Sequence, residues 1–158
     1  MSELSAVYLT QDRLIELERD LNHMKTAGRK EIAQKIADAR AHGDLSENAE
    51  YDAAKEEQGL FEMRIAKLES MLSRAQIIDV SSLPHDIVHI LATVKIRNLK
   101  TNNEFTYMLV SPEEADSSLG KISITSPIGS ALMGKKAGEK VAVKAPAGII
   151  DFELLAID

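Results

Sequence analysis

The fold is decided by residues 51–75, YDAAKEEQGLFEMRIAKLESMLSRA, and by residues 14–39, LIELERDLNHMKTAGRKEIAQKIADA. In the first stretch, mostly apolar residues recur at alternating spacings of three and four, which is the pattern of a coiled-coil face. The second stretch keeps this alternation up to Met24 and then changes to spacings of four, a stutter that locally relaxes supercoiling. The two stretches therefore predict two long helices, each with one apolar seam. The seam residues are Leu14, Leu17, Leu21, Met24, Gly28, Ile32, Ile36 and Ala39, then Tyr51, Ala54, Gln58, Phe61, Ile65, Leu68, Leu72 and Ala75.

A single antiparallel register pairs the two seams when the chain folds back on itself. Glycine in a helix interior costs about 1 kcal/mol relative to alanine, and the ring of Phe61 opposite Gly28 gives a reason for glycine there. We therefore predict an antiparallel helical hairpin in this register. Its predicted pairs are Leu14 with Ala75, Leu17 with Leu72, Leu21 with Leu68, Met24 with Ile65, and Gly28 with Phe61.

Residues 43–51, GDLSENAEY, lie between the two seams and form the predicted tip of the hairpin. Seven of the twenty residues from Asp38 to Glu57 are acidic. In one interpretation, Asp44 is the N-cap of the second helix and Glu47 completes a capping box, so turn formation alone explains both residues. In the other, the clustered carboxylates bind a divalent cation. The pattern alone leaves both interpretations open.

The remainder of the chain predicts a small antiparallel sheet with one short helix. Short, partly alternating segments are separated by turn formers such as Asn102-Asn103 and residues 146–148. Ser126 is placed to cap a short helix that has Pro127 at its first position. The predicted fold class is α+β, with a long antiparallel coiled-coil hairpin over residues 1–79 and a sheet domain over residues 80–158. The predicted strands cover residues 92–99, 104–110, 121–125, 141–145 and 149–157.

Composition and charge exclude several classes of protein. The net charge of −6 argues against a protein that binds nucleic acid mainly by neutralising phosphates. The absence of cysteine excludes disulfides and thiolate metal sites. The amino terminus has no basic region followed by an apolar core, and no apolar run approaches the roughly 18 residues of a membrane span. We therefore expect a cytoplasmic protein with no membrane partner.

The GDLSENAEY tip, the AAKEEQG that follows it and the later SPIG and GKKAG segments resemble the Gre family of bacterial transcript-cleavage factors. The resemblance covers essentially the whole chain. It implies an amino-terminal antiparallel coiled coil and a carboxy-terminal domain of FKBP-like fold. It further implies a monomeric accessory factor, not itself an enzyme. The sheet domain would dock at the rim of the secondary channel of RNA polymerase, and the tip would reach the active centre.

The same resemblance assigns roles to three charged residues. Asp44 and Glu47 match the two acidic residues of the Gre tip and would bind Mg²⁺ in trans, within the polymerase active centre. Two carboxylates are too few to hold Mg²⁺ alone, so the ion would be shared with the polymerase's own aspartates. Together they would cleave the backtracked 3′ end of the nascent RNA. Lys55 stands where the family has a basic residue, often arginine, that contacts this RNA end. Without the resemblance, Lys55 is a solvated charge that pairs with Glu56 or Glu57.

Three residues of the sheet domain resemble the family's polymerase-gripping loop. They are Ser126, Pro127 and Ile128. The alternative is that this segment is an ordinary helix start whose Ile128 packs inward. Tyr51 likewise has two interpretations: it shapes the tip against the polymerase, or it closes the seam.

Two other functions remain open at this point. One is a channel-blocking relative that inhibits polymerase, although inhibitory relatives alter the tip and this tip is intact. The other is a structural coiled-coil protein or a prolyl isomerase suggested by the FKBP-like fold. Fold alone does not transfer activity, and a chain with three Phe, three Tyr and no Trp offers few rings for an aromatic isomerase pocket.

Overall fold

The structure is a computed structural model that describes residues 5–41 and 48–158. The described chain divides into two compact units. The hairpin unit contains Asp12–Ala75, and the sheet unit contains Ala6–Gln11 and Gln76–Asp158. The chain therefore runs from the sheet unit into the hairpin unit and then returns. The sheet unit is thus assembled from two separate parts of the sequence.

Two helical arms make up the hairpin unit. The first arm consists of α1 (Gln11–His23), a π-helical turn (Met24–Gly28) and α2 (Arg29–Arg40), and the second is α3 (Ala49–Ser73). Backbone angles stay helical at His23 and Arg29, so the first arm is continuous. The π turn occupies the segment where the seam spacing changes to fours, which fits its wider i to i+5 hydrogen bonding. The predicted pair of long helices is confirmed, and the stutter coincides with the π turn.

The seam of the hairpin follows the predicted pattern. Every predicted seam residue is buried or half-buried. An ideal Cβ built on Gly28 would lie only 2.5 Å from Phe61 Cζ, which confirms that these two residues meet across the arms. One pair differs from the prediction: α3 ends at Ser73, and Ala75 belongs to a strand instead of the helical seam. The fully buried seam residues are Leu17, Ile32, Ala39, Ala54 and Ile65.

Ion pairs join the two arms outside the seam. Arg29 donates from Nε and from one terminal nitrogen to the two carboxylate oxygens of Glu62, at 2.9 Å each. Lys35 Nζ lies 2.8 Å from Glu57 Oε1. The hydrogen bond from Arg29 lowers the pKa of Glu62 below its ordinary value. Both pairs are exposed to solvent, so each contributes modestly and is screened by salt.

We expect the stabilising effect of Glu62 to depend on pH. Because its folded-state pKa is lowered, the contribution is present above the ordinary value of 4.5 and is lost as pH falls through the lowered pKa. The melting temperature of the unchanged protein should therefore exceed that of Glu62→Gln at pH 7, and the difference should vanish in acid. Thermal melts of both proteins at low ionic strength measure this difference. A difference that persists in acid would show that the carboxylate charge is not the cause.

Seven strands, one α-helix and three short 3₁₀ helices are the ordered elements associated with the described sheet unit. A two-stranded sheet joins β1 (Val7–Leu9) to β2 (Ala75–Ile77). A five-stranded sheet has the order β5-β4-β3-β7-β6 and carries the helix α4 between β5 and β6. Its elements are β3 (Thr93–Asn98), β4 (Glu104–Val110), β5 (Lys121–Ser123), α4 (Pro127–Leu132), β6 (Lys140–Ala145) and β7 (Gly148–Ile157).

The core of the sheet unit comes from the alternation along these strands. Alternate residues of β3, β6 and β7 point to one face, as period-two geometry requires, and Leu132 of α4 covers them. The predicted α+β fold class, with a short helix on a small sheet, is confirmed. The buried core residues are Val88, Val94, Ile96, Leu109, Leu132, Val141, Val143, Phe152 and Leu154.

Three features of the sheet unit differ from the prediction. The sheet is not wholly antiparallel, because β5 pairs with β4 in parallel through Leu109 and Ile122. Strand β1 was not predicted, although Val7 and Leu9 are almost completely buried and the backbone N–H of Tyr8 donates to Ser111 Oγ at 3.0 Å. The predicted division at residues 79 and 80 leaves residues 6–11 with the hairpin, whereas here they lie in the sheet unit.

Candidate functional site

The two predicted metal-binding residues, Asp44 and Glu47, lie outside the described residues. The structure does describe the helix ends on either side of them. Helix α2 ends at Arg40, and α3 begins at Ala49. The side chains that hydrogen-bond to the backbone groups at these two helix ends bear directly on the two interpretations of the tip.

Asn48 is the N-cap of α3. Its Oδ1 accepts a hydrogen bond from the backbone N–H of Tyr51 at 3.1 Å, which satisfies one of the free amides at a helix start. The capping interpretation of the tip named Asp44, with Glu47 as its capping-box partner, and both residues lie outside the described part of the chain. The cap that the structure describes is Asn48. Capping of α3 thus gives no reason for a carboxylate at position 44.

Asn48 also connects the two arms. Its Nδ2 donates to the carbonyl oxygen of Ala39, one of the last four carbonyls of α2, which have no partner inside that helix. Beside it, the guanidinium carbon of Arg40 lies 5.7 Å from the centroid of the Tyr51 ring, a cation–π distance. Tyr51 is half-buried, in agreement with the seam interpretation. Two cross-arm contacts therefore hold the helix ends together next to the tip.

Lys55, the predicted contact of the RNA 3′ end, lies on an exposed part of α3. Its Nζ donates to Gln58 Oε1 at 2.9 Å. Of the two acidic neighbours considered as partners, Glu57 is instead bound to Lys35 of the opposite arm. The role of Lys55 toward RNA remains a prediction.

The predicted polymerase-binding residues lie at the start of α4. Ser126 is the N-cap: its hydroxyl donates to the carbonyl of Ser123 at 2.6 Å and accepts from the N–H of Gly129 at 3.1 Å. Pro127 occupies the first helical position and is exposed, whereas Ile128 is half-buried and packs against the core. A Cβ on Gly129 would lie 2.0 Å from the Ser123 carbonyl oxygen, so this tight corner requires glycine. Of the three side chains, Pro127 is the most available to a partner.

Because Ile128 packs against the core, we expect Ile128→Asp to destabilise the sheet unit. A carboxylate would replace apolar packing, at a cost of about 1 to 3 kcal/mol. Chemical denaturation monitored by circular dichroism measures the loss. Ser130→Asp is the matched control, since it places the same charge on the exposed side of the same helix. If both variants are as stable as the unchanged protein, Ile128 is a displayed residue and not a core residue.

Other kinds of site find little support in the described residues. Within residues 5–41 and 48–158, no group of three or more His, Asp or Glu side chains is placed to hold a metal ion. A groove of ≈ 530 Å³ runs beside Asn98, Leu99, Lys100 and residues 147–151, and none of these residues is aromatic. Phe152 is buried in the core, and Phe105 stacks on Tyr107. The described rings thus give the isomerase interpretation no aromatic pocket. None of the described helices combines the length and apolar character needed to cross a bilayer.

Comparison with known protein families identifies the class to which this fold and tip belong. Residues 7–77 match the family model described as "Transcription elongation factor, N-terminal". Residues 83–158 match the model described as "Transcription elongation factor, GreA/GreB, C-term". The chain belongs to the GreA/GreB family of transcription elongation factors.

Two relatives agree with this assignment in sequence. The chain is 51% identical over 152 residues to a "Transcription elongation factor GreA" of Chlorobaculum parvum, with 96% of each chain covered. It is 52% identical over 157 residues to the protein of the same name in Flavobacterium johnsoniae, covering 99% of this chain and 98% of that one. Among solved structures, GreA factor homolog 1 (Gfh1) of Thermus thermophilus is 28% identical, with a TM-score of 0.45, 97% of this chain covered and 99% of that chain.

Proposed function

We propose that this protein binds RNA polymerase, inserts its helical hairpin into the secondary channel and stimulates the polymerase to cleave backtracked nascent RNA. The observation that carries the proposal is the intact GDLSENAEY tip, placed between the two arms of a helical hairpin in a chain of the GreA/GreB family. The protein acts in the cytoplasm as an accessory factor, and the polymerase supplies the rest of the active site.

Asp44 and Glu47 act as carboxylate ligands in this proposal. Because Asn48 caps α3, capping of that helix does not account for a carboxylate at position 44, and this supports the proposed role of Asp44 outside the turn. Carboxylate oxygens are hard donors that suit Mg²⁺, and two of them leave positions for water, substrate phosphate and the polymerase's own acids. The ion supplies charge neutralisation and water activation at the phosphodiester. The factor's own residues orient it beside the RNA end.

The cation is needed because the tip and the RNA carry like charges. Two unit negative charges at 4 Å repel by about 1 kcal/mol in water and by about 4 kcal/mol at an effective dielectric of 20. A shared cation reverses the sign of this interaction. Lys55 adds a positive charge on α3 that contacts the extruded RNA. Because lysine lacks the planar fork of arginine, this contact is less directional than an arginine contact.

The sheet unit provides the docking surface for the channel rim in this proposal. Ser126, Pro127 and Ile128 mark the contact, with Pro127 displayed and Ile128 supporting it from the core. One short segment can therefore serve both folding, through Ile128, and binding, through Pro127. The half-buried Ile128 sets the position of the exposed proline beside it.

The direct test is to add the purified protein to a backtracked elongation complex in the presence of Mg²⁺ and to follow the length of the RNA. We expect shortening of the RNA from its 3′ end and renewed elongation when nucleotides are supplied. Binding without cleavage would support an inhibitory, channel-blocking factor instead. No binding and no effect on transcription would leave a structural protein as the remaining interpretation.

A further inference from the structure

We infer that Asn48 is a positioning residue for the acidic tip, because its amide fixes the helix ends between which Asp44 and Glu47 are placed. The inference rests on the proposed function. The observation that supports it is independent of that function: the Asn48 side chain makes one hydrogen bond to each arm of the hairpin. Asn48 binds no metal and no RNA in this role. It acts through its hydrogen bonds to Ala39 and Tyr51.

The chemistry of the side chain explains why asparagine stands at this position. The Ala39 carbonyl accepts a hydrogen bond from the Asn48 amide, and the Tyr51 N–H donates one to it. A neutral amide offers both a donor and an acceptor on one short, planar group, whereas a carboxylate offers acceptors only. Aspartate therefore caps a helix as well as asparagine but cannot donate to Ala39, and glycine, which is tolerated at an N-cap, offers neither group. Asn48→Asp thus separates the capping bond from the cross-arm bond.

The second contact beside Asn48 supports the same conclusion. The guanidinium of Arg40 over the ring of Tyr51 joins the last residue of α2 to the first turn of α3. Ala39 and Ala54 are both buried at this end of the hairpin, so the arms approach closely there. Two cross-arm contacts thus lie where the chain leaves α2 and enters α3. Metal sites depend on such supporting contacts, and a displacement of about 1 Å can cost on the order of 100-fold in rate.

The test uses the full-length variants Asn48→Asp and Asn48→Gly in the RNA cleavage assay. Both remove the donor to Ala39, while aspartate keeps a capping oxygen for α3 and glycine is tolerated at an N-cap. We expect the maximal cleavage rate at saturating factor to fall by about 10-fold. The factor concentration that gives half-maximal rate should stay unchanged, and the Mg²⁺ concentration required should rise. The neutral glycine variant shows that the added charge of aspartate is not the cause.

Two controls make the outcome decisive. Glu57→Gln breaks a different cross-arm contact, the pair with Lys35, and should cleave normally. Asp44→Asn tests the proposed function itself. If Asp44→Asn is inactive while both Asn48 variants cleave normally with an unchanged Mg²⁺ requirement, the positioning role is overturned and the proposed function stands. If Asp44→Asn cleaves like the unchanged protein, the proposed function is overturned and the inference with it.

Stability must be measured on the same samples. Thermal melts should show that the Asn48 variants stay folded at the assay temperature, because aspartate and glycine are both accepted at helix N-caps. A loss of rate that only follows a loss of folded protein would also overturn the positioning role. A loss of rate in fully folded variants, with a raised Mg²⁺ requirement, supports it.

Discussion

Asp44→Asn is expected to abolish stimulated RNA cleavage while leaving the fold and polymerase binding intact. The substitution removes one anionic oxygen and changes little else in size or shape. A hard divalent cation binds an amide oxygen less well than a carboxylate, so loss of the ligand should lower the rate by about 100-fold or more. Because Asn48 caps α3, the helix keeps its N-terminal hydrogen bond in this variant.

Glu47→Gln is the parallel substitution and should behave in the same way. Cleavage rate, polymerase affinity and melting temperature together distinguish the metal-ligand role from a structural one. Both variants should also compete with the unchanged protein for the channel and thus inhibit rescue of arrested complexes. Near-normal cleavage by both amides would contradict the catalytic assignment. In that case the acidic pair would serve only the turn or solubility.

Gly28→Leu is expected to destabilise the hairpin, although leucine is the better helix former. An added Cβ would lie 2.5 Å from Phe61 Cζ, closer than carbon atoms approach, and the rest of the leucine side chain needs still more room. Overpacking of this kind costs about 1 to 3 kcal/mol, which exceeds the gain of about 1 kcal/mol from helix propensity. Chemical denaturation of the full-length protein, followed by helix content, measures the balance.

Gly59→Leu is the matched control for this prediction. Gly59 lies inside α3, and nothing stands within 4 Å of its ideal Cβ. The better helix propensity of leucine is gained there without a steric clash, so Gly59→Leu should be more stable than the unchanged protein by up to about 1 kcal/mol. Equal stabilisation by both substitutions would show that Phe61 yields easily and that close packing does not explain the glycine at position 28.

The hairpin could be predicted in detail because its information is local and periodic. Spacings of three and four along one face identify the residues that must be covered, and two facing seams in one chain restrict the register to a single solution. The contact of Gly28 with Phe61 follows from that register alone. The five strands of the larger sheet were recognisable in the same way, from partial alternation between turn formers. The family resemblance of the tip also rests on a short continuous segment.

The strands that escaped prediction are short or depend on distant partners. Three residues of β1 carry too little pattern to be recognised, yet Val7 and Leu9 are buried, and the strand pairs with β2 and bonds to Ser111, both far along the sequence. The parallel pairing of β5 with β4 is equally invisible in sequence, since strand composition does not encode the direction of a neighbour. The return of the chain to the sheet unit at residue 76 was also not predicted, because it too depends on pairing with residues distant in the sequence.

The sequence by itself determined the two-arm hairpin, its register, the α+β class and the acidic tip, because each depends on side-chain periodicity or on a continuous motif. Only the tertiary structure decided which residue caps α3. Aspartate at position 44 and asparagine at position 48 are both good N-cap residue types. Which position caps α3 depends on where the helix begins and on the Ala39 carbonyl of the opposite arm, which accepts from Asn48. The asparagine amide makes both hydrogen bonds, one to Ala39 and one to Tyr51. The sequence does not reveal this double role, because only the folded hairpin brings Ala39 and Tyr51 to the two sides of one amide.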